Sequence, residues 1–207
     1  MNKVLLVIGD AAEVFDTLYP LHRIREDGFQ VLVAAPEKRI YHLVMHDTHP
    51  DWDITVESPG YKLAAEIAFR DIRPEEYAGI VLSGGRAPEY LRLNPRVLAL
   101  VRAFAKADKP IAAICHGAQL LAAAGVLEGR ECSAYPACAP EVRQAGGSYV
   151  DIAGDGVHVE GKLGAAAAGP ASRPPASGAR ARRRPETAAS CCATVTRATR
   201  VRLWIGC

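Results

Sequence analysis

Two short, unbroken apolar runs, residues 4–8 and 29–35, flank a stretch in which Leu18, Leu21 and Ile24 recur at helical spacing and Gly28 supplies the stop. Strand, helix and strand at this spacing form a βαβ unit, so the two strands are expected to be parallel and their crossover right-handed. A third apolar run, Gly79–Leu82, ends in Ser83-Gly84-Gly85. Asn94-Pro95 then marks a helix start, with proline at the first helical position, and Val97, Leu98, Val101 and Phe104 continue the helix. Between these units, residues 45–62 are polar and carry Pro50, Pro59 and Gly60, as expected of a hairpin or loop near the sheet edge. An α/β domain with a mostly parallel central sheet follows from this order.

The next unit carries the chemistry. Lys109-Pro110-Ile111-Ala112-Ala113-Ile114 is an apolar strand, Cys115-His116-Gly117 a turn, and the residues after it an apolar helix. Strand, sharp turn and helix with a thiol at the turn is the geometry of a nucleophile elbow, in which a strained turn lifts the reactive atom above the sheet. A cysteine acts through its thiolate, and a helix N-terminus is expected to favour that form.

Charge and cysteine usage narrow the class. Eight of the 25 basic residues and one of the 23 acidic ones fall in 164–207, so that tail carries +7 and the remainder −5. A mildly acidic folding unit gives no reason to expect nucleic-acid or membrane binding. Run 4–8 is too short for a signal core and no run approaches membrane-spanning length. Six cysteines at irregular spacing make no disulfide framework, so a reducing cytoplasm is expected. The tail is rich in alanine, arginine and proline without a period of two or 3.6, which predicts disorder apart from a short strand at 201–205. The expected division is a folded unit over 1–163 and an atypical tail over 164–207.

Four places could gather round Cys115. Glu13 follows the first strand, at the carboxyl edge where open α/β sheets bind ligands, although an acid there could equally cap the following helix. Backbone N–H groups at Gly84-Gly85 could hold an oxyanion. His116 is adjacent to the thiol in sequence, which alone does not bring its ring to the sulfur. Glu89 could orient a histidine or cap a helix. His42, His46 and His49 with Asp47, Asp51 and Asp53 invite a metal reading, and His42 and His46 would share a helix face, but the segment does not read as helical, and neither a metal nor any other cofactor is expected.

Taken together, Glu13, Tyr19-Pro20-Leu21-His22-Arg23, Gly84-Gly85-Arg86-Ala87-Pro88-Glu89, Ala113-Ile114-Cys115-His116-Gly117 and Ala123-Ala124-Gly125-Val126-Leu127-Glu128-Gly129-Arg130 resemble the ThiJ/PfpI superfamily over about residues 1–163. The pattern is nearest its PfpI peptidase-like and plant glyoxalase-like branches. The resemblance implies a flavodoxin-like three-layer sandwich of the class I glutamine amidotransferase-like kind. It implies that Cys115 is the reactive cysteine, Glu13 the glutamate contacting its sulfur and His116 the partner histidine. It further implies that Glu89 reaches a histidine from a neighbouring subunit of a homo-oligomer, a dimer or hexamer, and that the backbone at Gly85 and His116 forms the oxyanion site. Ser83 stands where the family usually has proline. After Leu163 the family continues with a strand, a Trp-Pro turn and a final helix, whereas this chain turns to alanine and arginine, the text expected of a reading-frame shift near codon 164.

Three functions share these residues. A cofactor-free glyoxalase would convert methylglyoxal and water to lactate, with Glu13 and His116 moving protons. A cysteine peptidase or amidohydrolase would use Cys115, His116 and Glu89 on a peptide. A non-enzymatic redox or chaperone-like stress protein would need only Cys115 and Glu13. The glyoxalase is the leading expectation, because a small aldehyde asks least of the site.

Overall fold

A computed structural model describes residues 2–152 and 156–167, together with the backbone of 193–195 and 203–205. Strand β1 (Lys3–Val7) leads through α1 (Val14–Glu26) to β2 (Gln30–Ala35). A hairpin of β3 (Ile40–Asp47) and β4 (Val56–Ala64) follows, then the short β5 (Ile67–Ala68) and β6 (Gly79–Leu82). Helices α2 (Ala87–Leu91) and α3 (Pro95–Lys106) lead to β7 (Ile111–Ile114), and α4 (Ala118–Ala124) follows the turn that holds Cys115. Beyond it come β8 (Glu131–Cys132), α5 (Ala139–Gln144), β9 (Ser148–Tyr149), β10 (Val157–Glu160) and β11 (Leu163–Ala166).

Seven strands form the central sheet in the order β10-β11-β7-β6-β1-β2-β5, parallel throughout except for β10. All four residues of β6 and of β7 are buried. That is what parallel strands covered on both faces require, and it explains their unbroken apolar text. The step from β1 to β2 runs toward one edge and that from β6 to β7 toward the other. Right-handed crossovers therefore set α1 and α3 on opposite faces of the sheet. The expected flavodoxin-like α/β architecture is the one observed. The direction of winding reverses between β1 and β6, and a crevice at the carboxyl ends of such strands is where open α/β sheets place a site.

Local signals act where they were read. Asn94 caps α3, its side chain accepting from the Arg96 N–H at 3.0 Å, and Gly28 adopts φ +85 just past α1. The hairpin is longer than 45–62, because Tyr41 and Leu43 alternate with exposed neighbours and bury themselves at 1% and 2% exposure. It docks on the chain entering α1, where the Ala11 N–H donates to the His42 carbonyl at 2.8 Å and the Val44 N–H to the Ala12 carbonyl at 3.0 Å.

The boundary expected after Leu163 falls inside a strand. Strand β11 runs to Ala166 and pairs in parallel with β7, from Leu163 opposite Ile111 to Ala166 opposite Ile114, with every residue buried. A strand covered on both faces needs no alternation, which is why its alanines show no period. Segments Ala193–Val195 and Leu203–Ile205 pair antiparallel, the second within the expected 201–205. The rest of the expected disorder lies outside the described residues.

One contact locks the elbow to the sheet. A Cβ added to Gly117 would lie 2.5 Å from the Leu82 carbonyl oxygen at the end of β6. The Gly117 backbone is helical, at φ −55, so alanine there is opposed by space alone. Gly117→Ala should lower stability by about 1–3 kcal/mol, the usual cost of overpacking. It should appear as a lower denaturant midpoint at unchanged m-value; a wild-type midpoint would contradict the contact.

Candidate active site

Cys115 holds φ +55, a left-handed conformation that a residue with a Cβ adopts at a cost. Strand β7 delivers it at the carboxyl edge, one helical turn over Cys115–Gly117 follows, and α4 begins behind it. The Tyr135 N–H donates to the Cys115 carbonyl at 3.3 Å, tying the elbow to the segment before α5. Gly84 makes room on the other side, for an added Cβ would sit 2.6 Å from the Cys115 Cβ and collide with Asp16 Oδ2. Gly85 adopts φ +72 and presses on the backbone of residues 11–13.

The left-handed turn brings His116 back over its neighbour. Cys115 Sγ lies 3.2 Å from His116 Nδ1, and the imidazole stacks on the Tyr135 ring with centroids 4.8 Å apart. Backbone N–H groups of Gly85 and His116 address the sulfur and favour its thiolate, as the turn at a helix start should. Burial outweighs them. It pushes the thiol well above its ordinary value, and the nearby Asp16 adds to the effect. The expectation of a thiol lowered by the helix N-terminus is thus reversed by desolvation, which the sequence does not display. Burial also lowers His116, against the pull of Glu89 and Glu141. A neutral imidazole beside a protonated thiol is a base within reach of the proton it must take.

Glu13 is placed differently from the role the resemblance implied. Its carboxylate caps α1, Oε2 accepting from the Asp16 N–H at 2.7 Å, and burial raises its pKa. The acid set against the elbow is Asp16, one turn further on. Asp16 is 5% exposed, and its Oδ2 has no hydrogen-bond partner among the described residues. Burial first, and the Glu13 charge second, push its pKa well above the ordinary carboxylate range. Sequence reasoning missed it, although an acid three residues after Glu13 shares its helix face and was the available signal. Thr17 Oγ1 and Ser83 Oγ, 2.6 Å apart and buried, join α1 to the loop after β6 just behind it. Glu89, in the first turn of α2, lies close enough to favour the imidazolium of His116 on the same chain.

Two histidines of the hairpin pair with acids. His46 Nε2 lies 3.1 Å from Glu57 Oε2 and His42 Nδ1 3.5 Å from Asp10 Oδ1. Among the described residues no three His, Cys, Asp or Glu side chains gather as a metal site, and no helix is long and apolar enough to cross a membrane.

The sequence profile of the DJ-1/PfpI family matches residues 2–174. Among curated proteins, the chain is 40% identical over 153 residues to Protein DJ-1 homolog D of Arabidopsis thaliana, covering 72% of this chain and 39% of that one. It is 37% identical over 149 residues to a deglycase of Thermococcus kodakarensis and 33% to Deglycase PfpI of Pyrococcus furiosus, in each case covering 72% of this chain and 81% of the relative. The chain thus spans about two fifths of the plant protein and four fifths of the archaeal ones. Among solved structures, Drosophila melanogaster DJ-1beta superposes with a TM-score of 0.66 at 22% identity, covering 80% of this chain and 81% of that one, a likeness of fold.

A carboxyl group whose pKa folding raises has a testable signature. The unfolded chain loses the Asp16 proton near pH 3.9, whereas the folded chain keeps it to higher pH. Wild-type stability is therefore free of this penalty below about pH 4 and declines as pH rises toward the folded pKa. Asp16→Asn does not titrate, so its denaturation midpoint relative to wild type should climb between pH 4 and pH 7. A constant difference across that range would show Asp16 ionised in the fold.

Proposed function

This chain belongs to the DJ-1/PfpI family, and we propose that it is a cysteine-dependent, cofactor-free enzyme acting on small reactive carbonyls, foremost as a glyoxalase that turns methylglyoxal and water into lactate. The observation that carries this reading is the pairing of Cys115 Sγ with His116 Nδ1 at 3.2 Å, the imidazole pKa lowered by burial, backed by the buried carboxyl of Asp16, whose pKa burial raises. The name deglycase borne by the archaeal relatives supports an enzyme of this kind.

The steps follow from which groups hold protons. His116 takes the thiol proton as the sulfur bonds to the aldehyde carbon, and the aldehyde oxygen becomes an oxyanion beside the Gly85 and His116 N–H groups. The imidazolium returns that proton to the oxygen, giving a hemithioacetal and a neutral ring. The ring then removes the hydrogen on the sulfur-bearing carbon, and a hydrogen bond from Asp16 steadies the resulting enediolate. Reprotonation at the neighbouring carbon yields a lactoyl thioester on Cys115. Water hydrolyses it to lactate and restores the thiol, so no external oxidant or reductant enters. Glu13 acts on this sequence by fixing the first turn of α1 and with it Asp16.

Incubation of the purified full chain with methylglyoxal tests the proposal. Lactate should form with wild type and fall to background with Cys115→Ala. His116→Ala and Asp16→Asn should each lose about 10²–10⁴ in kcat, the usual contribution of a positioned acid or base. Glu13→Gln should cost far less in kcat than Asp16→Asn. Turnover by wild type no faster than by Cys115→Ala would end the proposal.

A further inference from the structure

Gln119 and Glu141 join α4 to α5 just behind the elbow, and no step of the reaction above gives them a task. Gln119 stands three residues after His116 on the helical stretch that runs from Cys115 to Ala124, so the two share one face. Glu141 lies in the first turn of α5. Backbone bonds tie that turn to the elbow: the Tyr135 N–H donates to the Cys115 carbonyl at 3.3 Å and the Cys138 N–H to the Tyr135 carbonyl at 2.8 Å. The Tyr135 ring meanwhile stacks on His116. Gln119 Nε2 donates to Glu141 Oε1 at 3.4 Å, and Arg92 Nη1 donates to the same oxygen at 2.9 Å. A carboxylate only accepts, so the bond fixes which end of the amide meets Glu141 and leaves Gln119 Oε1 as a free acceptor. Gln119 is 8% exposed. Its Oε1 and Glu141 Oε2 are both buried and have no hydrogen-bond partner among the described residues, a costly state for two acceptors unless a donor joins them.

The geometry points to a water site: Gln119 Oε1 and Glu141 Oε2 together hold the water that hydrolyses the acyl thioester on Cys115, with Glu141 as its base. This rests on the thioester step of the reading above. A water molecule has two O–H donors and the pair offers two acceptors, so its lone pairs remain for the acyl carbon. Arg92 occupies Oε1, which makes Oε2 the oxygen left to act. One water proton passes to Glu141 Oε2 as the water oxygen bonds to the acyl carbon. The carbon–sulfur bond breaks with its electron pair on sulfur. The proton of the released acid returns Cys115 to the thiol by way of His116, whose Nδ1 lies at the sulfur, and Glu141 gives its own proton to solvent. His116 thus serves the sulfur and Glu141 the water.

Acylation of the full chain by p-nitrophenyl acetate tests the site without methylglyoxal, so its outcome stands apart from that of the glyoxalase assay. Release of nitrophenolate reads acylation of Cys115, and intact mass spectrometry follows loss of the acetyl group after the reagent is removed. Glu141→Gln should acylate at the wild-type rate but lose about 10²–10⁴ in the rate of deacylation, the usual contribution of a positioned base. Gln119→Met, which keeps the bulk and removes the acceptor, should deacylate about tenfold more slowly, the scale of one lost hydrogen bond. Hydroxylamine attacks a thioester without a base and should discharge acetylated wild type and both variants at one rate, which separates a lost water site from a distorted elbow. Deacylation of Glu141→Gln at the wild-type rate would overturn the proposal. So would a variant in which acylation, or discharge by hydroxylamine, slows as much as hydrolysis.

Discussion

The structure depends on a thiol-bearing residue held in left-handed backbone. Nothing about Cys115 favours φ +55; its surroundings impose it. Strand β7 is pinned in parallel by β6 on one side and β11 on the other, and α4 must begin three residues later, close against Leu82. Only a sharp reversal joins the two. Gly84 and Gly117 keep clear the space on either side of that reversal. The same turn that strains the backbone swings His116 onto the sulfur and aims two N–H groups at it, so strain and function share one cause.

Desolvation is the second organising force. Cys115, Asp16 and Glu13 are each nearly buried, and burial is the first cause of the raised pKa of all three. Burial thus favours the uncharged form of each of these groups, which suits a compact α/β core. Charge need appear only as bonds to substrate form, where the Gly85 and His116 N–H groups wait. The ionised residues stay outside this shell and are paired: Arg86 with Glu57 and Glu89, Arg92 with Glu141.

Much of this was legible in the sequence, and the rest failed for identifiable reasons. Strands β1, β2, β6 and β7 announce themselves because doubly covered parallel strands are written in unbroken apolar residues. The elbow is legible because a thiol between an apolar strand and an apolar helix fits few other conformations. Asp16 was not, because an acid in the first turn of a helix reads as solvated. Its burial arises only when Gly84 lets the loop after β6 close over it. The cap at Glu13 was an open alternative from the start, and geometry alone separates a capping carboxylate from one aimed at the sulfur. Strand β11 was hidden because alanine carries little strand preference; the neighbours on both sides make it a strand.

The account turns on a neutral resting site, and infrared difference spectroscopy at neutral pH reads that state directly. Subtracting the spectrum of Asp16→Asn from that of wild type should leave the carbonyl stretch of a protonated carboxylic acid, and subtracting Cys115→Ala should leave an S–H stretch. Carboxylate bands in the first difference, or no S–H band in the second, would mean that Asp16 or Cys115 is ionised at rest and would contradict it.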